Sequence, residues 1–266
     1  MTTVYDIVRF MESIAPQSKK ESWDNVGLLC GRRDKQVTTI LVALDPFEDV
    51  AEEAVKLGAD LIVTHHPLIF HPLYSLTDDT AIGRTAATLL RHDIAAFSAH
   101  TNLDIAPQGV GACLAAALGL EDISVIEPIE KTADGVWGLL RMGTVVPQPL
   151  ETFLLHVKQQ LHTPAVRYAP ASEKVHRVAV GGGACADEWK SAFAAGCDTF
   201  VTADAKYNDF WDARDAGLTL IDAGHFGTEM PVVEVLAQYL RQESQRGGWN
   251  VEIQTDTDSK DIFQSL

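Results

Sequence analysis

The side chains in this chain best suited to chemistry are histidines and acids, most of them at the ends of predicted strands. Five of them stand out: His65, His66, Asp104, His225 and Glu229. The first two follow the apolar run 60–64, and the third follows the run 93–98. Because the carboxyl ends of parallel strands open onto the ligand crevice of a sheet, we expect these side chains to converge.

Histidines and carboxylates together predict a site for two divalent metal ions. Adjacent histidines on extended backbone point in different directions, so His65 and His66 suit two neighbouring ions better than one ion. Glu229 can bridge two cations that lie about 3.5–4 Å apart. We therefore assign one ion to His65 and His225, and the other ion to His66 and Asp104, with Glu229 between them. These donors suit zinc, iron, manganese or nickel.

Each of these residues also has a structural interpretation when it is taken alone. The histidine pair could lie on the surface, Asp104 could cap a turn, and the pair at 225 and 229 could begin a helix. The combination of donors from three separate strand ends is what favours a metal site. His100 could be a ligand, a partner of a ligand or a proton carrier, and we predict that it is the catalytic proton carrier.

The elements that must position these residues alternate between apolar strands and amphipathic helices. The predicted strands are 37–44, 60–64 and 93–98, and the predicted helices are 49–58, 81–92 and 108–118. Thr80 is placed to cap the second helix. Strands separated by helices of this length indicate βαβ units and a mainly parallel sheet. Further along, we predict a β-rich stretch at 135–146 and a helix at 149–161.

An internal echo predicts two similar α/β domains. The segment Gly-Ala-Asp-Leu-Ile-Val-Thr at 58–64 matches Gly-Cys-Asp-Thr-Phe-Val-Thr at 196–202. One strand later, a His-x-x-x-acid unit at 100–104 recurs at 225–229. We therefore predict an internal duplication, in which two α/β domains face each other across a dimetal cleft.

The predicted boundary between these domains lies near residue 124, where the alternation of strands and helices gives way to β-rich sequence. The first domain would comprise residues 1–123 and 223–266 and would carry most of the metal ligands. The second domain would comprise residues 124–222.

Composition narrows the classes of partner. A formal net charge of -16, from 37 acidic and 21 basic residues, repels phosphate backbones and argues against non-specific nucleic-acid binding. Bound divalent ions can make the local electrostatic potential positive, so this acidic chain could still bind a small phosphorylated substrate such as a nucleotide. No apolar run reaches about 18 residues and the N-terminal stretch is amphipathic, so we predict no membrane span, no signal peptide and a cytoplasmic location. Four cysteines without C-x-x-C spacing predict buried, reduced thiols.

Five ordered motifs extend over nearly the whole chain. They are Trp23-Asp24-Asn25-Val26-Gly27-Leu28, Leu44-Asp45, Thr64-His65-His66-Pro67-Leu68-Ile69-Phe70, His100-Thr101-Asn102-Leu103-Asp104 and Gly224-His225-x3-Glu229. In this order they resemble the YbgI-like dinuclear metal centre proteins, also called GTP cyclohydrolase 1 type 2 homologs. The resemblance implies two α/β domains that face each other across a dimetal cleft, and a ring-shaped homohexamer.

Two segments depart from the pattern of that family. The segment 202–209 is similar to one that often has histidine where this chain has Asn208. If that histidine carries protons, its absence weakens a mechanism transferred from the family. The stretch 255–263 lacks the proline that commonly follows the family's final strand. Neither departure affects a proposed ligand.

Two functions stay open at this point. The first is a metal-dependent hydrolase that acts on a phosphoester, an amide or, like GTP cyclohydrolase, a ring C–N bond. The second is a non-enzymatic metal-binding or regulatory interaction protein. The glycines at 181–183 add either a phosphate cradle or a tight structural turn. Ser98 and Ser191 lack a nucleophile-elbow context, which argues against a serine hydrolase.

Overall fold

Helices and strands alternate along most of the chain, and the computed structural model describes residues 1–265. In chain order, the strands are β1 (Gly27–Cys30), β2 (Thr39–Ala43), β3 (Leu61–Thr64), β4 (Ala95–Ser98), β5 (Glu121–Val125), β6 (Glu130–Thr132), β7 (Gly135–Trp137), β8 (Arg141–Pro149), β9 (Arg167–Ala169), β10 (Lys174–Val180), β11 (Thr199–Thr202), β12 (Thr219–Asp222) and β13 (Glu252–Thr255). The helices are α1 (Val4–Ile14), α2 (Glu48–Leu57), α3 (Ala81–Arg91), α4 (Thr101–Asp104), α5 (Val110–Ala117), α6 (Leu150–Gln160), α7 (Trp189–Ala194), α8 (Tyr207–Ala216), α9 (His225–Glu229) and α10 (Pro231–Gly247). Short 3-10 turns lie at Gln17–Lys19 and Ala186–Glu188.

The chain folds into two compact units. The first unit comprises Met1–Leu103 and Val233–Lys260, and the second comprises Asp104–Val232 and residues 261–265. The predicted boundaries divide the chain elsewhere, because the structure places residues 104–123, 223–232 and 261–265 in the second unit. The reason is packing: Leu114 of α5 belongs to the same buried cluster as Val145 of β8.

The first unit contains a five-stranded sheet in the order β1-β4-β3-β2-β13. Strands β13, β2, β3 and β4 are parallel, and β1 runs antiparallel to β4. Every residue of β3 and of β4 is buried. Such continuous burial is typical of central parallel strands covered on both faces, and it explains why the sequence shows unbroken apolar runs there.

The second unit contains a six-stranded mixed sheet in the order β5-β8-β10-β11-β12-β9. Strands β10, β11 and β12 are parallel, whereas β8 and β9 run antiparallel to their neighbours. Strands β6 and β7 form a separate hairpin. The α/β class predicted from the sequence is confirmed, but this second sheet is mixed rather than mainly parallel, because antiparallel strands flank the parallel ones.

The predicted elements agree closely with the observed ones. Strands β2, β3 and β4 lie inside the predicted runs, and α2, α3, α5 and α6 lie within one or two residues of the predicted helices. The cap of α3 is confirmed, because Thr80 Oγ1 accepts the backbone N–H of Gly83 at 3.1 Å. Helix α2 ends where Gly58 adopts a left-handed conformation with a φ of 65°.

The Gly-x-Asp segments of the internal echo have the same local structure. Asp60 Oδ2 accepts the backbone N–H of Thr39 at 3.2 Å, and Asp198 Oδ2 accepts the backbone N–H of Arg177 at 2.8 Å. In each segment the glycine two positions earlier has a positive φ, of 65° and 78°. Each aspartate thereby ties two neighbouring parallel strands together.

The four cysteines were predicted to be buried, reduced thiols. All four cysteines are free thiols, and burial raises the pKa of Cys113 to about 12 and that of Cys197 to about 11. Cys30 and Cys185 are half-buried.

Across residues 1–265, no helix combines the length and apolar character needed to cross a bilayer.

The carboxyl groups of Glu53 of α2 and Asp256, which follows β13, face each other in the first unit. Asp256 is only 5% exposed. A hydrogen bond between two carboxyl groups requires a proton on one of them. Burial, reinforced by the facing Asp256, raises the pKa of Glu53 to about 7. Burial opposes the shift at Asp256, but the bond from Glu53 holds the pKa of Asp256 below its usual value.

We expect the wild type to lose stability between about pH 4.5 and 7, and Glu53→Gln to keep its stability over the same range. Because the pKa of Glu53 is raised on folding, its contribution is complete below the unfolded value of 4.5 and is lost as the pH rises through 7. A glutamine amide can donate to Asp256 at every pH. From pH 5 to pH 8, urea unfolding should show the variant gaining about 1 kcal/mol over the wild type, allowing for partial exposure. Glu52→Gln, at the exposed neighbour, is the control, and an equal gain there would contradict the interpretation.

Candidate metal centre

Three histidines of the first unit converge at the carboxyl ends of two neighbouring parallel strands. His65 and His66 follow β3, and His100 follows β4. Their ring centroids lie 4.9, 5.2 and 5.6 Å apart, and one ligand atom of each lies within 4.8 Å of the others. This group of imidazoles could therefore hold a metal ion.

In both adjacent histidines Nδ1 forms a hydrogen bond, which fixes the orientation of the ring. His65 Nδ1 donates to the carbonyl oxygen of Ala99 at 2.9 Å, and His66 Nδ1 pairs with Asp45 Oδ1 at 2.7 Å. Metal-binding histidines commonly donate one ring N–H to a carbonyl or a carboxylate and bind the ion through the other nitrogen. Nε2 is therefore the candidate ligand atom in both residues.

His100 is held by a buried carboxylate. Its Nδ1 pairs with Asp24 Oδ1 at 2.9 Å, and Asp24 Oδ2 accepts the backbone N–H of Thr101 at 3.1 Å. Burial alone would raise the pKa of Asp24, but the hydrogen bonds from His100 and Thr101 hold that pKa well below its usual range. Asp24 therefore stays ionised and keeps a proton on Nδ1 of His100, which leaves proton exchange to Nε2.

The other three predicted ligands lie in the second unit. Asp104 ends α4, and His225 and Glu229 are the first and last residues of α9. His225 Nε2 lies 3.1 Å from Glu229 Oε2. A carboxylate oxygen of Asp104 lies within 4.8 Å of one from Glu229. Glu229 thus lies beside an imidazole on one side and a second carboxylate on the other, which are donor types suited to a divalent cation.

His225 is oriented in the same way as the histidines of the first unit. Its Nδ1 pairs with Asp204 Oδ2 at 2.8 Å, and Asp204 has a left-handed backbone with a φ of 54°. Burial by itself would lower the pKa of His225. The hydrogen bonds and charges of Glu229 and then Asp204 outweigh burial and raise this pKa to about 9. The acids around His225 therefore favour positive charge at this position.

The glycines at 181–183 make room for this ligand set. Gly183 has a φ of +62°, and a Cβ there would overlap Glu229 Oε1 and lie 3.2 Å from His225 Nε2. The backbone N–H of Gly183 donates to Thr228 Oγ1 of α9 at 3.0 Å. Because that N–H binds the protein itself, these contacts support the structural turn rather than the phosphate cradle.

The chain also matches a known family over nearly its whole length. A family model described as Duf34/NIF3 (NGG1p interacting factor 3) matches residues 2–261. The chain belongs to the DUF34/NIF3 family. The resemblance indicated by the sequence motifs is therefore confirmed.

Relatives of this DUF34/NIF3 chain match it along most of their length. A Clostridium perfringens protein named GTP cyclohydrolase 1 type 2 homolog is 34% identical and covers 98% of both chains. A Streptomyces coelicolor protein of the same name is 36% identical over 95% of this chain and 90% of its own length. The solved structure of Staphylococcus aureus protein SA1388 is 32% identical, with a TM-score of 0.92 over 100% of this chain and 99% of its own. A Bacillus cereus protein related to NIF3 is 25% identical, with a TM-score of 0.94 over the same shares.

The sequence identified the candidate ligands of this family member but not the acids that orient them. Asp24, Asp45 and Asp204 each pair with Nδ1 of one histidine. Two of these acids show a signal that could have been used. Asp45 follows β2 by two residues, and Asp204 follows β11 by two residues, so each lies at the same sheet edge as a ligand of its own unit. Asn208, one of the two departures from the pattern of the family that the motifs resemble, lies exposed in the first turn of α8.

We expect Asp45→Asn and Asp204→Asn to weaken metal binding by about 10- to 100-fold each. An amide oxygen can still accept the bond from Nδ1, but it lacks the charge that makes the imidazole a better donor to a cation. Competition with a chromophoric zinc chelator would measure the change. Asp212→Asn, at an exposed residue of α8, alters the net charge equally and should bind metal as the wild type does. Equal affinities in all four proteins would contradict the role of these acids.

Proposed function

We propose that this chain is a hydrolase that depends on two divalent metal ions. The observation that carries the proposal is the shared orientation of His65, His66 and His225. In each of them Nδ1 is bound to a carbonyl or a carboxylate, as in metal-binding histidines. Such anchoring presents Nε2 as a ligand at low entropic cost.

The proposed ligand assignment joins the two donor sets. One ion would be held by His65 and His225 and the other by His66 and Asp104, with Glu229 bridging. Three imidazoles and two carboxylates suit zinc, iron, manganese or nickel. When bound, a pair of such ions supplies Lewis acidity, which polarises a phosphoryl, carbonyl or ring C–N group and lowers the pKa of water.

We assign the proton transfer to His100. Its pairing with Asp24 fixes the tautomer, so Nε2 can accept a proton and later release it to the leaving group. Asp24 itself stays a carboxylate and stabilises the imidazolium that forms. This arrangement needs hydrogen-bond reach to the substrate and does not require His100 to bind metal.

We also propose that the two units arose by duplication. The shared hydrogen bonds of the Gly-x-Asp segments support this proposal. The His-x-x-x-acid segments at 100–104 and 225–229 support it as well, because each follows a parallel strand. The homohexamer and the cytoplasmic location stay predictions, and analytical ultracentrifugation of the purified protein would test the first of them.

Metal analysis of the purified native protein, prepared without added metal or chelator, is the first test. We expect about two equivalents of transition metal per chain, and their loss in a His66→Ala, Glu229→Ala double variant. Native protein that contains no metal, and that takes up neither zinc, manganese nor iron, would overturn the proposal.

A second test separates the enzyme from a metal-binding protein without turnover. GTP is the first substrate to assay, because relatives carry the name GTP cyclohydrolase 1 type 2 homolog, and simple phosphoesters follow. We expect His100→Asn to lower the turnover rate by about 100-fold or more while the metal content stays unchanged. A metal-loaded protein that turns over none of these substrates would favour the non-enzymatic function.

A further inference from the structure

A cleft in the second unit, outside the proposed ligand set, combines aromatic rings with arginines. It lies between the edge strand β9 and helix α8 and has a volume of about 300 Å³. The side chains that define this aromatic–arginine cleft are Arg167, Tyr168, Tyr207, Phe210, Trp211 and Arg214. Its volume is at the lower end of the range found for small-molecule sites.

Three of these rings face solvent. Tyr207 is 75% exposed, Trp211 is 54% exposed and Tyr168 is 48% exposed. The ring centroids of Tyr207 and Trp211 lie 6.5 Å apart. A cluster of exposed large apolar side chains marks a binding site rather than a packing need. Flat rings around a cleft suit a planar aromatic ligand, which offers a π-face for stacking.

The arginines of the cleft are held against its rings. Arg167 Cζ lies 5.7 Å from the ring centroid of Phe210, and Arg214 Cζ lies 5.9 Å from that of Trp211. Arg167 also pairs with Asp222, whereas no carboxylate of residues 1–265 forms a salt bridge with Arg214. Since Asp222 offsets the charge of Arg167, Arg214 supplies the positive charge of the cleft, which favours an anionic group in a chain with a net charge of -16.

Arg167 links the cleft to a proposed metal ligand. The same side chain lines a second cavity of about 340 Å³, whose wall includes His225, Asp204 and Asp222. A ligand whose ring lies in the cleft can therefore extend an attached group past Arg167 toward His225.

We propose that the aromatic–arginine cleft binds the planar ring of a substrate whose phosphate group extends toward the metal ligands. This proposal rests on the proposed hydrolase function. The chemical class is an aromatic heterocycle joined to a phosphate, as in a nucleotide. The ring stacks on Trp211 and Tyr207, and Arg167 and Arg214 donate charged hydrogen bonds to phosphate oxygens.

Calorimetric titration of the native protein, with its bound metal, would test the ring and the phosphate separately. The probes are guanosine 5′-monophosphate, ribose 5-phosphate, which lacks the ring, and guanosine, which lacks the phosphate. We expect Trp211→Ala to weaken binding of the nucleotide by about 10-fold or more and to leave ribose 5-phosphate unchanged. We expect Arg214→Gln to weaken binding of the nucleotide but not of guanosine. Tyr74→Ala removes a fully exposed ring of the first unit and serves as the control.

Three results would overturn the cleft proposal. The first is equal affinity of the native protein for the nucleotide and for ribose 5-phosphate, and the second is an unchanged nucleotide affinity in Trp211→Ala. The third is a change in sedimentation of Trp211→Ala, which would assign the cleft to contacts with a second copy of the chain.

Metal analysis of the same samples keeps the two proposals distinguishable. Protein without metal that still binds the nucleotide through Trp211 would overturn the hydrolase and support the cleft. Metal-loaded protein whose nucleotide binding does not depend on the ring would overturn the cleft alone.

Discussion

Gly183→Ala should lower the metal affinity of the protein by about 100-fold or more while leaving the fold intact. The new Cβ would occupy the space of Glu229 Oε1, the oxygen at the far end of a flexible side chain. Glu229 would move away without a shift of the backbone, and the proposed bridging carboxylate would be displaced. Metal content and competition with a chelator would measure the loss, and far-ultraviolet circular dichroism would verify the fold.

Gly119→Ala is a matched control for this variant. Gly119 lies in the same unit and has a φ of +67°, close to the +62° of Gly183, but no atom lies within 4 Å of a Cβ built there. Both variants carry the same backbone strain of about 1–2 kcal/mol, because an alanine in a left-handed conformation is disfavoured. Only Gly183→Ala should lose metal. Equal metal affinity in the two variants would show that Gly183 is not needed to position the side chain of Glu229.

Arg141→Met should lower the free energy of unfolding by about 2–4 kcal/mol. Arg141 lies on β8 and is only 2% exposed. Its guanidinium donates to the carbonyl oxygens of Ala106 at 2.7 Å, Leu140 at 3.4 Å and Gly138. Burial lowers the pKa of Arg141 to about 10, so the side chain stays charged at neutral pH. Methionine fills the volume but removes these three bonds. The buried carbonyl of Gly138 then loses its donor, whereas the carbonyls of Ala106 and Leu140 keep the backbone N–H groups of Gly109 and Ile126.

Arg177→Met provides the comparison for this stability measurement. Arg177 lies on the neighbouring strand β10 and is exposed, and its guanidinium donates to the carbonyl oxygen of Ala195 at 3.2 Å. Its loss should cost less than about 1 kcal/mol in urea unfolding. If both variants lose the same stability, the carbonyl contacts of Arg141 do not explain its burial.

Much of the fold could be predicted because apolar runs and capping residues act locally. The run 60–64 is fully buried in β3 apart from its first residue, and Gly58 ends α2 as the sequence indicated. The edges of the sheets were harder to predict. Strand β1 has only one buried residue, and β13 pairs with β2 across more than two hundred residues of sequence. Such pairing depends on tertiary contacts that no local pattern contains.

The candidate metal site was also predictable only in part from the sequence. Histidines and acids at strand ends were visible in the sequence because metal chemistry restricts residue type. The role of the orienting acids was harder to predict, since an aspartate in a loop has many possible structural roles, although Asp45 and Asp204 follow strand ends of the same kind as the ligands. Asp24 binds His100 although the two are far apart in the chain, and Gly183 has its role only because Glu229 lies beside it. These relations follow from three-dimensional proximity.

The discontinuous first unit has a consequence for how the protein is made. All strands of the second sheet, from β5 to β12, leave the ribosome before α10 and β13 of the first unit. The second unit can therefore complete its sheet while the first sheet still ends at β2, whose later partner is β13. An unpaired, apolar strand edge is prone to pairing with other chains. During synthesis the first unit is thus the vulnerable half of the molecule, although its N-terminal segment is the first to emerge.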